Sequence, residues 1–350
     1  MQIGDIPSTT LTAFRKGGVI PAHPLALDAD RRLDERRQRA LSRYYLDAGS
    51  VGLAVGVHTT QFEIRDVGLF EPVLRLAREE ATGWVDREPF MVAGVIGRTA
   101  QAVAEAELAR DLGYHAVLLS LAAWKGASID DLIAHCRAVA EVMPLMGFYL
   151  QPAVGGRDLP RDFWRRFAAI ENVVGIKIAP FNRYRTLDVV QGVATAGARD
   201  RVTLYTGNDD HIIGDLLTPF PDGRGGPAMR IVGGLLGHWS VWTRTAVELV
   251  EKIVSMPERG AIDRGWWGRD AAVTDTNSAF FDAANDYKGV IAGLHEVLRR
   301  QGLLAGIWCL DPDETLGPGQ AAEIDRVYRA YPELNDDAFV AANLERWLGG

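Results

Sequence analysis

Lysine is scarce in this chain. Of 38 lysines and arginines in 350 residues, only Lys16, Lys125, Lys177, Lys252 and Lys288 are lysines. Arginine, which stays protonated at any accessible pH, is the default cation. Cysteine is nearly absent. Cys136 and Cys309 lie far apart among apolar residues, which excludes a disulfide framework or a cysteine metal clip and leaves two small hydrophobes. Positive charge is not in excess either. A net charge of -8 and a pI near 5.5 provide no basic stripe for nucleic acid, so a small molecule is the expected partner. No apolar run is long enough to span a bilayer, and the start, Met1 to Ile6, lacks the basic segment and apolar core of a signal peptide. The expectation is a soluble cytoplasmic protein with no membrane partner.

What the chain does have is a period. Short apolar runs occur at Gly18 to Ala22, Val51 to Val57, Phe90 to Ile96, Ala116 to Leu121, Leu145 to Leu150, Val173 to Ala179, Val202 to Thr206 and Arg230 to Gly234. The last five begin at 116, 145, 173, 202 and 230, which is 28 or 29 residues apart and the length of one strand-helix unit. Helix-like segments lie between them, among them Asp34 to Ala48, Asp66 to Ala81, Ala100 to Leu112, Ile129 to Val142 and Thr243 to Ser255. Eight such units predict an α/β protein, a (β/α)8 TIM barrel over residues 1–256. An open doubly wound sheet is the alternative. Residues 257–350 are expected to form a C-terminal helical extension, with helices at Ala271 to Arg300, Gln320 to Ala330 and Asp336 to Leu348, serving packing or a homo-oligomer interface.

Chemistry in such a barrel collects where strands end. Those ends carry His23, His58-Thr59-Thr60, Arg98, Tyr149, Lys177, Asn208-Asp209 and His238-Trp239-Ser240. Lys177 stands out because it sits inside an apolar strand, Val173-Val174-Gly175-Ile176-Lys177-Ile178-Ala179. Desolvation lowers the pKa of an ammonium towards neutrality, and the resulting amine can form imines with carbonyl compounds. The bland reading is a strand-end lysine that pairs with a carboxylate or reaches to water.

Five motifs in order resemble the dihydrodipicolinate synthase and N-acetylneuraminate lyase group of class I aldolases, from about Gly18 to Leu310. They are Tyr149-Leu150-Gln151-Pro152, Gly175-Ile176-Lys177, His58-Thr59-Thr60-Gln61-Phe62, Gly207-Asn208-Asp209, and Gly234 to Val241. The resemblance implies a lyase or aldolase that needs no cofactor or metal. Lys177 would form an imine with pyruvate or a related 2-oxo acid, Tyr149 would move protons beside it, and Thr59 and Thr60 would hold the carboxylate. His58, Asn208, Asp209, His238, Trp239 and Arg183 complete the expected substrate site, His58 and His238 as acid-base helpers.

The departures bear on substrate. The family's second relay tyrosine, after strand four, is replaced by Leu121-Ala122-Ala123, and Val154 stands where the synthases place an arginine for the second substrate's carboxylate. An aldehyde without that charge, with Trp124, Phe181 and Trp239 pointing to an aromatic one, is therefore expected, and dihydrodipicolinate synthesis itself is not. Arg98, Arg183 and Arg185 are the replacements to consider, Arg183 first. Three other readings stay open: a sugar-acid dehydratase using the same lysine, a metal-dependent hydrolase or lyase built on His23, His58, His211 and His238, and a non-catalytic binder.

Overall fold

A computed structural model describes residues 1–152, 155–256 and 261–349. Eight parallel strands form the centre: β1 (Val19–Pro21), β2 (Gly52–Val55), β3 (Phe90–Val95), β4 (Ala116–Leu119), β5 (Leu145–Leu150), β6 (Val173–Ala179), β7 (Thr203–Thr206) and β8 (Ile231–Leu236). They pair in the order β1-β8-β7-β6-β5-β4-β3-β2. Ring closure between β1 and β2 rests on Val51 N–H to Val19 O and His23 N–H to Ala54 O, each 2.8 Å, and one parallel bridge at Ala22 and Ala54. The expected (β/α)8 barrel is thus present, and the open sheet is not.

The helices are α1 (Ser8–Lys16), α2 (Glu35–Ala48), α3 (Phe70–Gly83), α4 (Thr99–Asp111), α5 (Ile129–Val142), α6 (Arg161–Ala168), α7 (Arg183–Thr195), α8 (Ile212–Leu217) and α9 (Thr243–Val254). Local chemistry starts several of them. Asp34 accepts from Arg37 N–H at α2, Ser128 and Asp131 form a capping box at α5, and Asn182 accepts from Tyr184 and Arg185 N–H at α7. Each side chain satisfies helix N–H groups that have no partner within the helix.

Strand alternation divides the core into two layers. Leu53, Met91, Val117, Tyr149, Ile176 and Ile178 face the helices, whereas Ala54, Val92, Leu118, Phe148, Val174 and Tyr205 face the barrel interior. The interior is closed at its lower end by α1, which the apolar pattern did not reveal. Phe14 stacks on Phe90 at 4.0 Å and on Tyr205 at 4.9 Å, and the Tyr205 hydroxyl donates to Phe14 O at 2.7 Å.

Beyond the barrel come α10 (Gly265–Phe280), α11 (Val290–Arg300), α12 (Gln320–Ala330) and α13 (Asp337–Gly349). The extension is tied to the barrel by Tyr44 hydroxyl to Asp336 at 2.7 Å, Arg43 to Trp347 O at 2.7 Å and Arg31 to Cys309 O at 3.0 Å. The single helix expected over 271–300 is corrected to two. Its break contains Asp282, Asp286 and Tyr287 at φ of 56°, 56° and 64°. Aspartate tolerates that left-handed conformation because its short side chain bonds locally. Among the described residues no helix is long and apolar enough to cross a membrane.

Candidate active site

Lys177 lies on β6, in register with Phe148 of β5 and Tyr205 of β7. Strand partners in register point the same way, so all three face the barrel interior. The lysine stem runs close past the start of the loop after β7. A Cβ added to Gly207 would come within 2.7 Å of Lys177 Cε and 2.8 Å of Ala179 Cβ, which is why a residue without a side chain stands there. The ammonium sits 4.5 Å above the Phe148 ring. Among the described residues it takes no hydrogen bond or ion pair.

A cavity of about 80 Å³ opens at the C-terminal ends of the strands, room for two or three waters at ~30 Å³ each or for one small organic acid. Lys177, Asp209, His58, Thr59, Gln151 and Tyr287 supply its polar lining, and Phe148, Phe181 and Phe281 much of the apolar wall. A larger groove, about 1120 Å³, lies against α1 and α9 at the other end of the barrel, the face that carries stability rather than chemistry in barrels of this type.

Two opposite shifts meet in the small cavity. Burial lowers Lys177 to about 8, against the weaker pull of Asp209 the other way. Burial also raises Asp209 to about 7, opposed by the Lys177 charge and by the His238 N–H donating to Oδ1 at 3.4 Å. Each group resists charging because burial shields it from bulk solvent, and each partly restores the other's charge. A proton on one is therefore readily given to the other. Burial, with the Lys177 charge second, lowers His58 to about 4, so this imidazole is neutral at pH 7.

The structure brings together only part of the expected set. Lys177, Asp209, His58 and Thr59 line the cavity. The Thr59 and Thr60 hydroxyls are turned to β1, donating to Ala22 O at 2.9 Å and His23 O at 2.7 Å. What the 58–60 turn offers a ligand is backbone: the first N–H groups of a 3-10 turn have no acceptor within it. Asn208 is buried behind the site, accepting from Phe181 N–H at 2.9 Å and donating to Asp215 at 2.8 Å. It fixes the loop that presents Phe181.

Four further expected site residues are placed away from the cavity lining. Tyr149 pairs in register with Ile178, one residue off the Lys177 row, and so faces the helix layer. Its ring packs on Trp164 and its hydroxyl accepts from Leu159 N–H at 3.2 Å. Trp239 is buried between barrel and helices and reaches no substrate space. The His238 ring stacks against Phe280 near Asn277, so only its backbone serves the site, by holding Asp209. Arg183 is ion-paired with Asp215 and is not part of the lining. The strand-end histidines do not converge: His23 bonds Ser42 at 2.9 Å and His211 pairs with Asp270 at 2.8 Å. Among the described residues no three His, Cys, Asp or Glu side chains are placed to share an ion.

Of the other residues weighed for the second substrate, Arg98 lies over Trp124 at 4.6 Å and Arg185 is 3.4 Å from Asp158. Val154 lies outside the described residues. Gln151, part of the strand-five motif, lines the cavity as a strand-end residue should, whereas Phe148, Phe281, Tyr287 and Val290 were not foreseen. Phe148 was within reach, because it neighbours Tyr149 and the two must face opposite ways. The contribution of the extension had no signal beyond the Asp-Asn-Asp cluster that breaks its helix.

Comparison with known proteins identifies the family and the fold. Residues 15–235 match the model of the dihydrodipicolinate synthetase family. A 4-hydroxy-tetrahydrodipicolinate synthase of Azoarcus sp. (strain BH72) is 29% identical over 193 residues, 55% of this chain and 63% of that one. N-acetylneuraminate lyase 2 of Escherichia coli O6:H1 is 24% identical over 220 residues, 62% of this chain and 68% of that one. The chain thus spans a little under two thirds of the length of the first of these. Among solved structures, dihydrodipicolinate synthase from Oceanobacillus iheyensis superposes with a TM-score of 0.72 at 17% identity, covering 93% of this chain and 99% of that one. YagE, a prophage protein of the same family from E. coli K12 in complex with pyruvate, gives 0.72 at 19% identity, covering 90% and 98%.

Proposed function

We propose, for a chain that belongs to the dihydrodipicolinate synthetase family, that it is a class I lyase or aldolase in which Lys177 forms an imine with pyruvate or a close 2-oxo acid. The observation that carries this is the buried, unpaired Lys177 amine at the mouth of the barrel, with its pKa lowered to about 8 and Asp209 beside it. At neutral pH the pair can pass a proton from ammonium to carboxylate. The freed amine then attacks the ketone carbon, and loss of water leaves an iminium that withdraws electrons from the neighbouring carbon. A C–C bond at that carbon can then be made or broken. The His58 and Thr59 N–H groups at the start of the 58–60 turn are suited to the 2-oxo acid's carboxylate, whereas the Thr60 N–H is taken by Val57 O at 3.0 Å.

The second substrate is proposed to be an uncharged, apolar aldehyde. Phe148, Leu150, Phe181, Phe281 and Val290 surround the space beyond the lysine, and no arginine lines it among the described residues. Burying a second carboxylate against that wall would cost several kcal/mol without a compensating partner. The name of the Azoarcus relative is therefore not carried over to this chain.

The test uses pyruvate alone. In D2O, wild-type protein should exchange the methyl protons of pyruvate, seen as loss of its proton NMR signal, because the imine makes them acidic. Lys177→Ala and Lys177→Arg should both abolish exchange while remaining folded, since neither side chain forms an imine. Exchange that persists in either variant contradicts the assignment.

A further inference from the structure

The imine cycle needs a group that gives a proton to oxygen and takes one from carbon. When the amine has added to the ketone, the carbinolamine hydroxyl must leave as water, and one methyl proton must then be removed to give the enamine. The tyrosine that β5 carries is turned away from the cavity, with its hydroxyl held at Leu159. The Thr59 hydroxyl is engaged at Ala22 O, and the neutral His58 ring is a weak acid. Asp209 flanks the lysine and is occupied with the proton on nitrogen.

One further hydroxyl-bearing residue lines the cavity. It is Tyr287, in the break between α10 and α11; its phenol lies close enough to Asp209 and Asp210 to feel their charges, and among the described residues its hydroxyl has no hydrogen-bond partner. We propose that Tyr287, delivered to the barrel mouth by the C-terminal extension, is the proton-transfer hydroxyl of the imine cycle. Its O–H donates to the departing hydroxyl, the C–O bond breaks, and water and a phenolate result. The phenolate then removes a methyl proton from the iminium, the C–H electron pair becomes the enamine double bond, and Tyr287 is a phenol again. Pyruvate and the Lys177 amine have become enamine and water, with no proton left over.

The backbone is shaped for this presentation. Tyr287 holds a φ of 64°, a left-handed conformation that is strained for a bulky residue and persists where the surroundings enforce it. They do so here: Tyr287 N–H donates to Asp282 O at 3.1 Å, and the Asp282 carboxylate accepts from Gly289 N–H at 3.2 Å and from the Asn285 amide at 2.6 Å. Burial and the charges of Asp210, Asp209 and Asp286 raise the phenol above its ordinary range. It therefore rests protonated, and its conjugate base is strong enough to take a carbon-bound proton.

This inference rests on the imine at Lys177, and the experiment separates the two. Wild type and Tyr287→Phe are incubated with pyruvate. Borohydride trapping at long times measures imine formation, and methyl exchange in D2O measures proton transfer at carbon. The expected result is full trapping at Lys177 in both proteins, with exchange slowed roughly 100-fold or more in the variant. Equal exchange rates with trapping intact overturn the role of Tyr287 and leave the imine standing. No trapping in wild type overturns the imine and this inference with it.

Discussion

At the residue scale, one position along β5 decides which aromatic side chain meets the lysine. Phe148 and Tyr149 are adjacent, so they face opposite sides of the strand. Register with β6 assigns Phe148 to the lysine and Tyr149 to the helices. The Tyr149 hydroxyl is the acceptor for a buried N–H, and Tyr149→Phe should lower stability by about 1 to 3 kcal/mol, the cost of leaving such a donor unpaired. Exchange of pyruvate protons should stay within about twofold of wild type, given that the hydroxyl serves structure rather than proton transfer. Thermal denaturation and NMR exchange on one sample check both halves. A large loss of exchange with trapping intact would return the relay to Tyr149. Lys177 was legible in the sequence because a lone lysine in an arginine-rich chain stood inside a strand. Tyr149 was misplaced because motif spacing fixes distance along the chain and not the side of the strand.

At the element scale, the strands and the last two helices, α12 and α13, were legible, and the break between α10 and α11 was not. β5 and β6 have the bounds that the apolar runs predict, since strands buried on both faces are apolar throughout. Over 271–300 the helical pattern is continuous enough to conceal a break, and the break supplies Phe281, Tyr287 and Val290 to the cavity. Asp282 organises that turn through its bonds to Gly289 and Asn285, in a left-handed conformation that alanine disfavours. Asp282→Ala should therefore release Tyr287 and slow exchange roughly 10-fold, while trapping at Lys177 is retained; this is the scale of a displaced proton-transfer group rather than a lost one. Asp282→Asn, which tolerates the same conformation and can keep an acceptor, should retain most of the exchange. Loss of trapping in step with exchange would assign Asp282 to folding alone.

At the scale of the whole molecule, the barrel brings Lys177 and Asp209 together and the extension roofs them. The eightfold period made the barrel legible, but nothing periodic records which loop of the tail reaches over its mouth. Burial of the pair makes stability depend on pH in two opposite ways. For Lys177, whose folded pKa lies below its ordinary value, the cost is full below about 8 and is relieved as pH rises towards 10.5. For Asp209, whose folded pKa is raised, the cost is full above about 7 and is relieved as pH falls towards 3.8. The two costs coincide between about 7 and 8, where the site must keep one proton poised between amine and carboxylate. The most direct test is borohydride reduction of the protein with pyruvate across that range, followed by peptide mapping by mass spectrometry. A single pyruvate-derived adduct on the peptide containing Lys177, forming faster as pH rises through about 8, is the result predicted. No adduct, or an adduct on Lys16, Lys125, Lys252 or Lys288 in its place, would contradict the account.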